Sequence, residues 1–176
     1  IGPDISCDTA LICHVHKHLA PLPSIYPEPG KGLARVLAQW ADSTLFWAAM
    51  AYNFSPKGAA DMFGKAPPEV VKAFTEDRRA MSGNMVRLRP ADAAAAYKSY
   101  LRRLSDMLHD TDYLLGAFPT VADFACYHPL WFTRKRTPSM AGILQLTPAV
   151  GDWKDRMAGI GHGTMEAFDA QRAIEV

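Results

Sequence analysis

The sequence predicts a mainly α-helical domain that follows a short segment of mixed structure. After residue 32, apolar residues recur three or four positions apart, the period of an amphipathic helix, and no convincing pair of strands is found. The stretch from Pro21 to Pro29 contains four prolines, which lack an N–H and restrict the residue before them, so no helix runs through it. We therefore assign residues 1–20 to a small first segment, 21–31 to a linker and 32–176 to an all-α domain.

Composition and charge exclude several classes of protein. The 176 residues carry 19 Lys and Arg against 18 Asp and Glu, a formal net charge of +1, which gives no field to attract nucleic acid or a membrane. No apolar run approaches the roughly 18 residues of a membrane span. The 3 cysteines lack paired spacing, which indicates a reducing compartment, and we expect a cytoplasmic protein. Because the chain begins with Ile1, we expect its front to be cut.

The first helices are predicted from their termini and their periodicity. A sheet edge is expected to end within residues 1–5, after which Asp8 and Thr9 open a short helix. One long helix is expected from about residue 32 to about residue 54, where Ser55 to Gly58 ends it. Its apolar stripe comprises Leu33, Val36, Leu37, Trp40, Thr44, Trp47 and Met50 or Ala51.

The later helices are predicted to begin mostly at prolines, which fit the first helical turn. We expect them to start near Pro67, Pro90, Pro138, Pro148 and Thr164, the last running to the end of the chain. Residues 113–119 are expected to be extended. Thr120 and Asp123 then have the spacing of a capping box, which opens an aromatic-rich helix through Trp131.

Three stretches in this order resemble the glutathione S-transferase superfamily. The first is DISCDTALI at residues 4–12, similar to the family's last thioredoxin-fold strand and the start of its next helix. The second is GAFPTVADF at 116–124, similar to the family's capping box with a buried Asp. The third is TPAVGDWKDRM at 147–157, similar to the Pro, Trp and Arg helix near the family's C-terminus.

The resemblance implies a domain organisation and an activity. Residues 1–20 would be the tail of a thioredoxin-like α/β domain, followed by a helical bundle like the C-terminal domain of glutathione S-transferases. Family members bind glutathione and use a Ser, Cys or Tyr near their N-terminus to favour its thiolate. That residue and the cis-Pro loop would lie before Ile1, so the catalytic residue is unknown. The resemblance also implies a homodimer.

Asp8 and Thr9 are the candidate glutathione-binding residues. A helix start offers free N–H groups and a positive dipole end, while the Thr hydroxyl and Asp carboxylate add a donor and an acceptor. By resemblance, Thr9 would hold the γ-glutamyl carboxylate and Asp8 the ammonium group. The alternative is ordinary N-capping of the helix.

A pocket for an apolar electrophile is predicted around Trp47, Tyr127 and Arg134. Trp47 lies on the long helix, and Tyr127, Trp131 and Arg134 lie on the aromatic helix, so both helices could border a site next to glutathione. Aromatic residues at helical spacing are also typical of a core, which is the alternative.

Two further groups have structural interpretations. Thr120 and Asp123 are interpreted as a buried structural cap rather than as catalytic residues. His14 and His18 are four apart on one helical face, but two ligands do not complete a metal site, and we expect no metal.

The predicted function is therefore conjugation of the glutathione thiolate to an apolar electrophile. Two alternatives stay open at this point: a protein that binds glutathione or apolar ligands without turnover, and a dimerising scaffold domain. A turnover assay with an electrophilic aromatic compound would distinguish the first alternative from an enzyme.

Overall fold

The computed structural model describes residues 8–83 and 88–175, and in these ranges helices account for the regular structure apart from one isolated bridge. The helices are α1 (Thr9–Leu19), α2 (Lys31–Trp40), α3 (Phe46–Asn53), α4 (Pro56–Phe63), α5 (Pro68–Ser82), α6 (Pro90–Met107), α7 (Val121–Lys135), α8 (Pro148–Ile160) and α9 (Ala170–Glu175). A π-helical turn, Ala41–Leu45, joins α2 to α3, and a 3-10 helix, Pro138–Leu146, precedes α8. The predicted mainly α-helical fold is confirmed. The strand end expected at residues 1–5 lies outside the described residues.

The core lies between five helices. Helix α2 packs on α7, α3 packs on α6, and α8 closes the bundle against both α6 and α7. The largest apolar side chains without solvent exposure come from α6, α7, α8 and the π-helical turn: Tyr97, Leu101, Leu104, Leu130, Trp153 and Leu45. Their burial stabilises the bundle by roughly 1.5–3 kcal/mol for each fully buried large apolar side chain.

The face that the first long helix buries differs from the predicted stripe. Ala34, Ala38, Ala41 and Ala48 are buried, whereas Leu33 is 59% and Val36 65% exposed. Small side chains allow helix axes to approach closely, so the alanine face can pack directly on α7. The spacing of apolar residues predicted the helix correctly. It predicted the wrong buried face, however, because it chose the face that carries the larger apolar side chains.

The predicted long helix is also interrupted where the sequence shows no signal. At the π-helical turn the Phe46 N–H donates to the carbonyl of Ala41, five residues back, in place of the usual four. The extra residue keeps both Ala41 and Leu45 fully buried on the core side. Helical structure therefore continues from Lys31 to Asn53 with its buried face realigned.

Three other local expectations are corrected. Residues 56–63 form helix α4 immediately after the predicted stop, because Pro56 fits a first helical turn. The segment expected to be extended is a tight turn, in which the N–H and C=O groups of Tyr113 and Gly116 pair with each other. Gly116 supplies the φ of 137° that this turn requires. The last helix begins at Ala170 rather than near Thr164.

A buried polar network connects α3, α6 and α7. The Asn53 amide donates to the Thr133 hydroxyl at 2.8 Å, and Tyr97 lies 3.0 Å from the same oxygen. Thr133 donates its single hydrogen to the Pro129 carbonyl, so the Tyr97 hydroxyl donates to Thr133. Thr137 completes the network by donating to the Asn53 side-chain oxygen at 3.0 Å. These bonds set the mutual positions of the three helices.

The proline-rich segment contains no helix or strand, yet it is attached to the bundle. Tyr26 is only 3% exposed, and the Val121 N–H donates to the Ile25 carbonyl at 2.9 Å. The Arg35 guanidinium lies 5.3 Å from the centre of the Tyr26 ring. Residues 25 and 26 thus hold the linker against α2 and the start of α7.

Candidate functional site

The start of α1 carries two of the predicted site residues. Asp8 caps the helix, since its Oδ1 accepts from the N–H groups of Ala10 at 2.8 Å and Leu11 at 3.4 Å. Its φ is 77°, a region that residues with a side chain rarely adopt. Within the described ranges, the Asp8 Oδ2 and the Thr9 hydroxyl have no hydrogen-bond partner. This exposed helix start therefore offers one free acceptor and one free donor.

Ionisable side chains from the bundle lie near this helix start. Desolvation raises the pKa of Asp42, the charge of His128 lowers it, and the Asp8 carboxylate raises it further. Asp42 in turn helps to raise the pKa of the Cys13 thiol, for which burial is the larger cause. Helix α1, the π-helical turn and α7 are thus electrostatically coupled at this end of the molecule.

A cleft of about 150 Å³ lies between α7 and α8. Helix α7 lines it with Tyr127, Trp131 and Arg134, which fall four and three residues apart on one helical face. Two of the three predicted pocket residues, Tyr127 and Arg134, therefore share one cavity. Trp131 is 40% exposed, so its indole presents an apolar wall to solvent.

The opposite wall of the cleft is charged rather than apolar. Helix α8 supplies Lys154, Asp155 and Ala158. The Arg134 guanidinium pairs with the Asp155 carboxylate, and the Lys154 ammonium donates to the same Oδ1 at 2.9 Å. Lys154 is only 5% exposed, which is rare for a lysine. The cleft combines aromatic surface with a buried positive charge.

Trp47 does not line this cleft. It lies on α3, where its ring makes an edge contact with Phe46 at 5.1 Å between centroids, and it is 41% exposed. The structure therefore brings Tyr127 and Arg134 together with Trp131, and leaves Trp47 on another surface.

Thr120 and Asp123 form the capping box of α7. The Asp123 Oδ2 accepts from the Thr120 N–H at 2.8 Å and from the Thr120 hydroxyl at 2.9 Å. Its Oδ1 accepts from the N–H of Leu114 and the indole of Trp153, both at 2.9 Å. Asp123 has no solvent exposure. These contacts are those of a structural residue, because both oxygens of the buried carboxylate are occupied by donors of the helix start, the turn and α8.

The histidines of α1 pair with each other and with the bundle. The Nε2 atoms of His14 and His18 are 3.2 Å apart, and Arg35 donates to the Nδ1 of His14 at 3.3 Å. Desolvation and then the neighbouring cations, His18 and Arg35 first, lower the pKa of His14. Among residues 8–83 and 88–175, no group of three or more His, Cys, Asp or Glu is placed to hold a metal.

Sequence reasoning missed Lys154, Asp155 and Asp42. For Lys154 the sequence contains a signal. Val150, Trp153 and Met157 are apolar residues at helical spacing, and Lys154 falls four residues after Val150 on the same face, which the structure buries. A lysine on an apolar face indicates a buried charge with a partner. Asp42 had no comparable signal, because its neighbours come from distant parts of the chain.

Comparisons with known proteins agree with this geometry. The family described as "Glutathione S-transferase, C-terminal domain" matches residues 74–157. A GST-like protein from Pseudomonas syringae is 31% identical, with a TM-score of 0.75, over 99% of this chain and 53% of its own. The β-etherase LigF from Sphingobium sp. strain SYK-6 is 18% identical, with a TM-score of 0.60, over 98% of this chain and 72% of its own, and it shows the fold alone. A search of curated proteins found no match.

The fold is that of the helical C-terminal domain of glutathione S-transferases, preceded by a linker and helix α1. The family match over residues 74–157 and the 31% identical GST-like protein support membership of the glutathione S-transferase superfamily. The chain spans about half the length of the Pseudomonas syringae protein. None of the helices that the structure describes is both long enough and apolar enough to cross a membrane.

Proposed function

We propose that this chain belongs to a cytoplasmic glutathione transferase that binds glutathione and conjugates its thiolate to an electrophile. The observation that carries the proposal is the start of α1. There the Thr9 hydroxyl and one Asp8 carboxylate oxygen, neither bonded to any residue of 8–83 or 88–175, lie beside the N-terminus of the helix. The rare φ of Asp8 adds support, since strained backbone occurs often at binding sites.

Each of these groups complements one charge of an amino acid head group. The Thr9 hydroxyl and the helix N-terminus would hold the γ-glutamyl carboxylate, because both present hydrogens to an anion. The Asp8 Oδ2 would accept from the ammonium while Oδ1 continues to cap the helix. The residue that favours the thiolate is proposed to lie before Ile1.

The acceptor is proposed to bind near α7. Tyr127 and Arg134 of this helix line the cleft. The charge of His128, also on α7, lowers the pKa of Asp42, and the charge of Asp8, at the start of α1, raises it, so both helices lie near Asp42. Trp47 is not included in this pocket, because its exposed indole lies on another surface of the bundle.

We also propose a homodimer. Leu33 and Val36 project from α2 with more than half of each side chain exposed, although the other face of the same helix is buried. A second copy of the chain would cover this apolar surface, and the oligomeric state can be measured by sedimentation.

The test of the glutathione site is Thr9→Ala in the full-length protein. We expect glutathione affinity, measured by titration calorimetry, to fall about tenfold or more, because a hydrogen bond to a charged group is lost. The control is Thr75→Ala, since Thr75 is an exposed threonine on α5 whose hydroxyl, among the residues that the structure describes, bonds only to the Val71 carbonyl. Unchanged affinity in Thr9→Ala would disprove the site.

Turnover distinguishes the enzyme from the two other functions. Glutathione binding without conjugation of an electrophilic aromatic compound would identify a binding protein. A dimer that binds no glutathione would identify a scaffold domain.

A further inference from the structure

The cleft between α7 and α8 has an excess of positive charge. Arg134, Lys135 and Lys154 line it, and Asp155 is the single carboxylate among its lining residues. One oxygen of that carboxylate is shared between Arg134 and Lys154. The Arg134 guanidinium and the Lys154 ammonium therefore share one carboxylate oxygen. A single negative charge faces three positive charges, so the positive charge of the cleft is only partly neutralised.

Lys154 has spare hydrogen-bonding capacity although it is buried. An ammonium has three N–H donors, and in the described part of the chain Lys154 donates only to Asp155. Buried charges are normally paired and fully hydrogen-bonded, because desolvation is costly otherwise. A second anion at Lys154 would use the free donors and balance the charge.

The remaining walls suit an aromatic ring. Trp131 is 40% exposed and lines the cleft together with Tyr127. The Tyr127 ring also makes an edge contact with Trp153, at 6.5 Å between centroids. The volume of about 150 Å³ suits a single substituted ring rather than a larger ligand. Flat side chains favour stacked or edge-to-face contacts with such a ring.

We propose that this cleft binds a small monocyclic aromatic carboxylate, with its ring against Trp131 and its carboxylate on Lys154 and Arg134. The inference rests on the proposed function only in one respect, that the bound acid is the acceptor: its ring would carry a halide, and the thiolate sulfur would bond to that ring carbon as the halide leaves. The aromatic ring corresponds to the apolar electrophile that the sequence predicts. The acid group is a further requirement for binding, which the sequence did not indicate. Binding of the acid itself requires no glutathione.

The experiment titrates benzoate into the protein at constant ionic strength, without glutathione, and follows the indole N–H signals by NMR. Benzamide is the uncharged probe of the same shape, and inorganic phosphate is the anion without a ring. We expect benzoate to shift the Trp131 signal and to bind about tenfold or more tightly than benzamide. Equal affinity for benzoate and benzamide would overturn the proposal. Phosphate binding as tightly as benzoate would overturn its aromatic part.

Variants identify the groups responsible. Lys154→Met keeps the aliphatic stem and removes the charge, so benzoate affinity should fall about tenfold or more. Lys98→Met removes an exposed lysine of α6 and should leave benzoate affinity unchanged. If Lys154→Met does not fold, Arg134→Gln on the exposed rim provides the same test. An unchanged affinity in the folded variant means that the cleft is not the site.

Because glutathione is absent, failure here leaves the Thr9 proposal intact. Conversely, an unchanged glutathione affinity in Thr9→Ala, which would disprove the glutathione site, leaves the outcome of the benzoate titration unaffected. The two proposals can therefore fail separately.

Discussion

The indole N–H of Trp153 in α8 donates to the Oδ1 of Asp123 at 2.9 Å, although Asp123 lies 30 positions earlier, at the start of α7. Both residues have no solvent exposure. The same carboxylate caps α7 through Thr120 and holds the Tyr113–Gly116 turn through the Leu114 N–H. One buried acid thus joins a helix start, a turn and the last long helix.

Asp123→Ala should destabilise the protein by about 3 kcal/mol or more, because it leaves the buried donors of Trp153, Leu114 and Thr120 without an acceptor. Urea unfolding measures the change. The control is Asp92→Ala in the first turn of α6, whose exposed carboxylate pairs with Arg89 and should cost less than about 1 kcal/mol. Similar midpoints for the two variants would contradict this account of Asp123.

Thr133→Val preserves the shape of the side chain but removes the centre of the buried network. Asn53 and Tyr97 would each lose an acceptor, and we expect a loss of about 2–3 kcal/mol in the free energy of unfolding. Thr75→Val is the matched control, because Thr75 bonds to the carbonyl four residues back as Thr133 does, but on an exposed helix. A cost for Thr133→Val no larger than that of the control would show that the network is not stabilising.

Gly58 and Gly151 should respond to alanine with opposite signs. A Cβ at Gly58 would collide with the Asn53 carbonyl oxygen and lie 3.0 Å from the Met140 Cγ, so Gly58→Ala should destabilise by about 1–3 kcal/mol. Gly151 lies in α8 with nothing within 4 Å of such an atom, and Gly151→Ala should stabilise by about 0.5–1 kcal/mol. Thermal melts measure both, and an increase in Tm for Gly58→Ala would refute the close contact.

The raised pKa of Asp42 predicts that the free energy of unfolding depends on pH. Its pKa is raised in the folded state, chiefly by desolvation, so the native protein holds this proton more tightly than the unfolded chain. Ionisation therefore costs stability as pH rises from about 4, the usual value of an Asp, through the raised pKa. Asp42→Asn should be more stable than the wild type at pH 7, and the difference should vanish below about pH 3.5.

The control for Asp42 is Asp110→Asn. The Asp110 side chain is 88% exposed, so this variant should follow the wild type within about 0.5 kcal/mol at both pH values. A pH-independent difference between Asp42→Asn and the wild type would show that titration of Asp42 is not responsible.

Local signals in the sequence determined the helices and one cap of this protein. Pro68, Pro90 and Pro148 begin helices because proline fits a first turn, and the spacing of Thr120 and Asp123 satisfies donors within a single turn. Both kinds of motif involve residues only three or four positions apart, so they can be recognised from the sequence without knowledge of tertiary contacts.

Tertiary packing decided what depends on distant neighbours. Whether α2 buries its alanines or its leucine and valine depends on how closely α7 approaches, and the π-helical turn realigns that face. Likewise Lys154 shares the Oδ1 of its neighbour Asp155 with Arg134, which comes from another helix, so its final charge balance is decided by how α7 packs on α8. Local patterns specify which segments are helical, but burial and charge pairing are properties of contacts between helices, which form only when the bundle assembles.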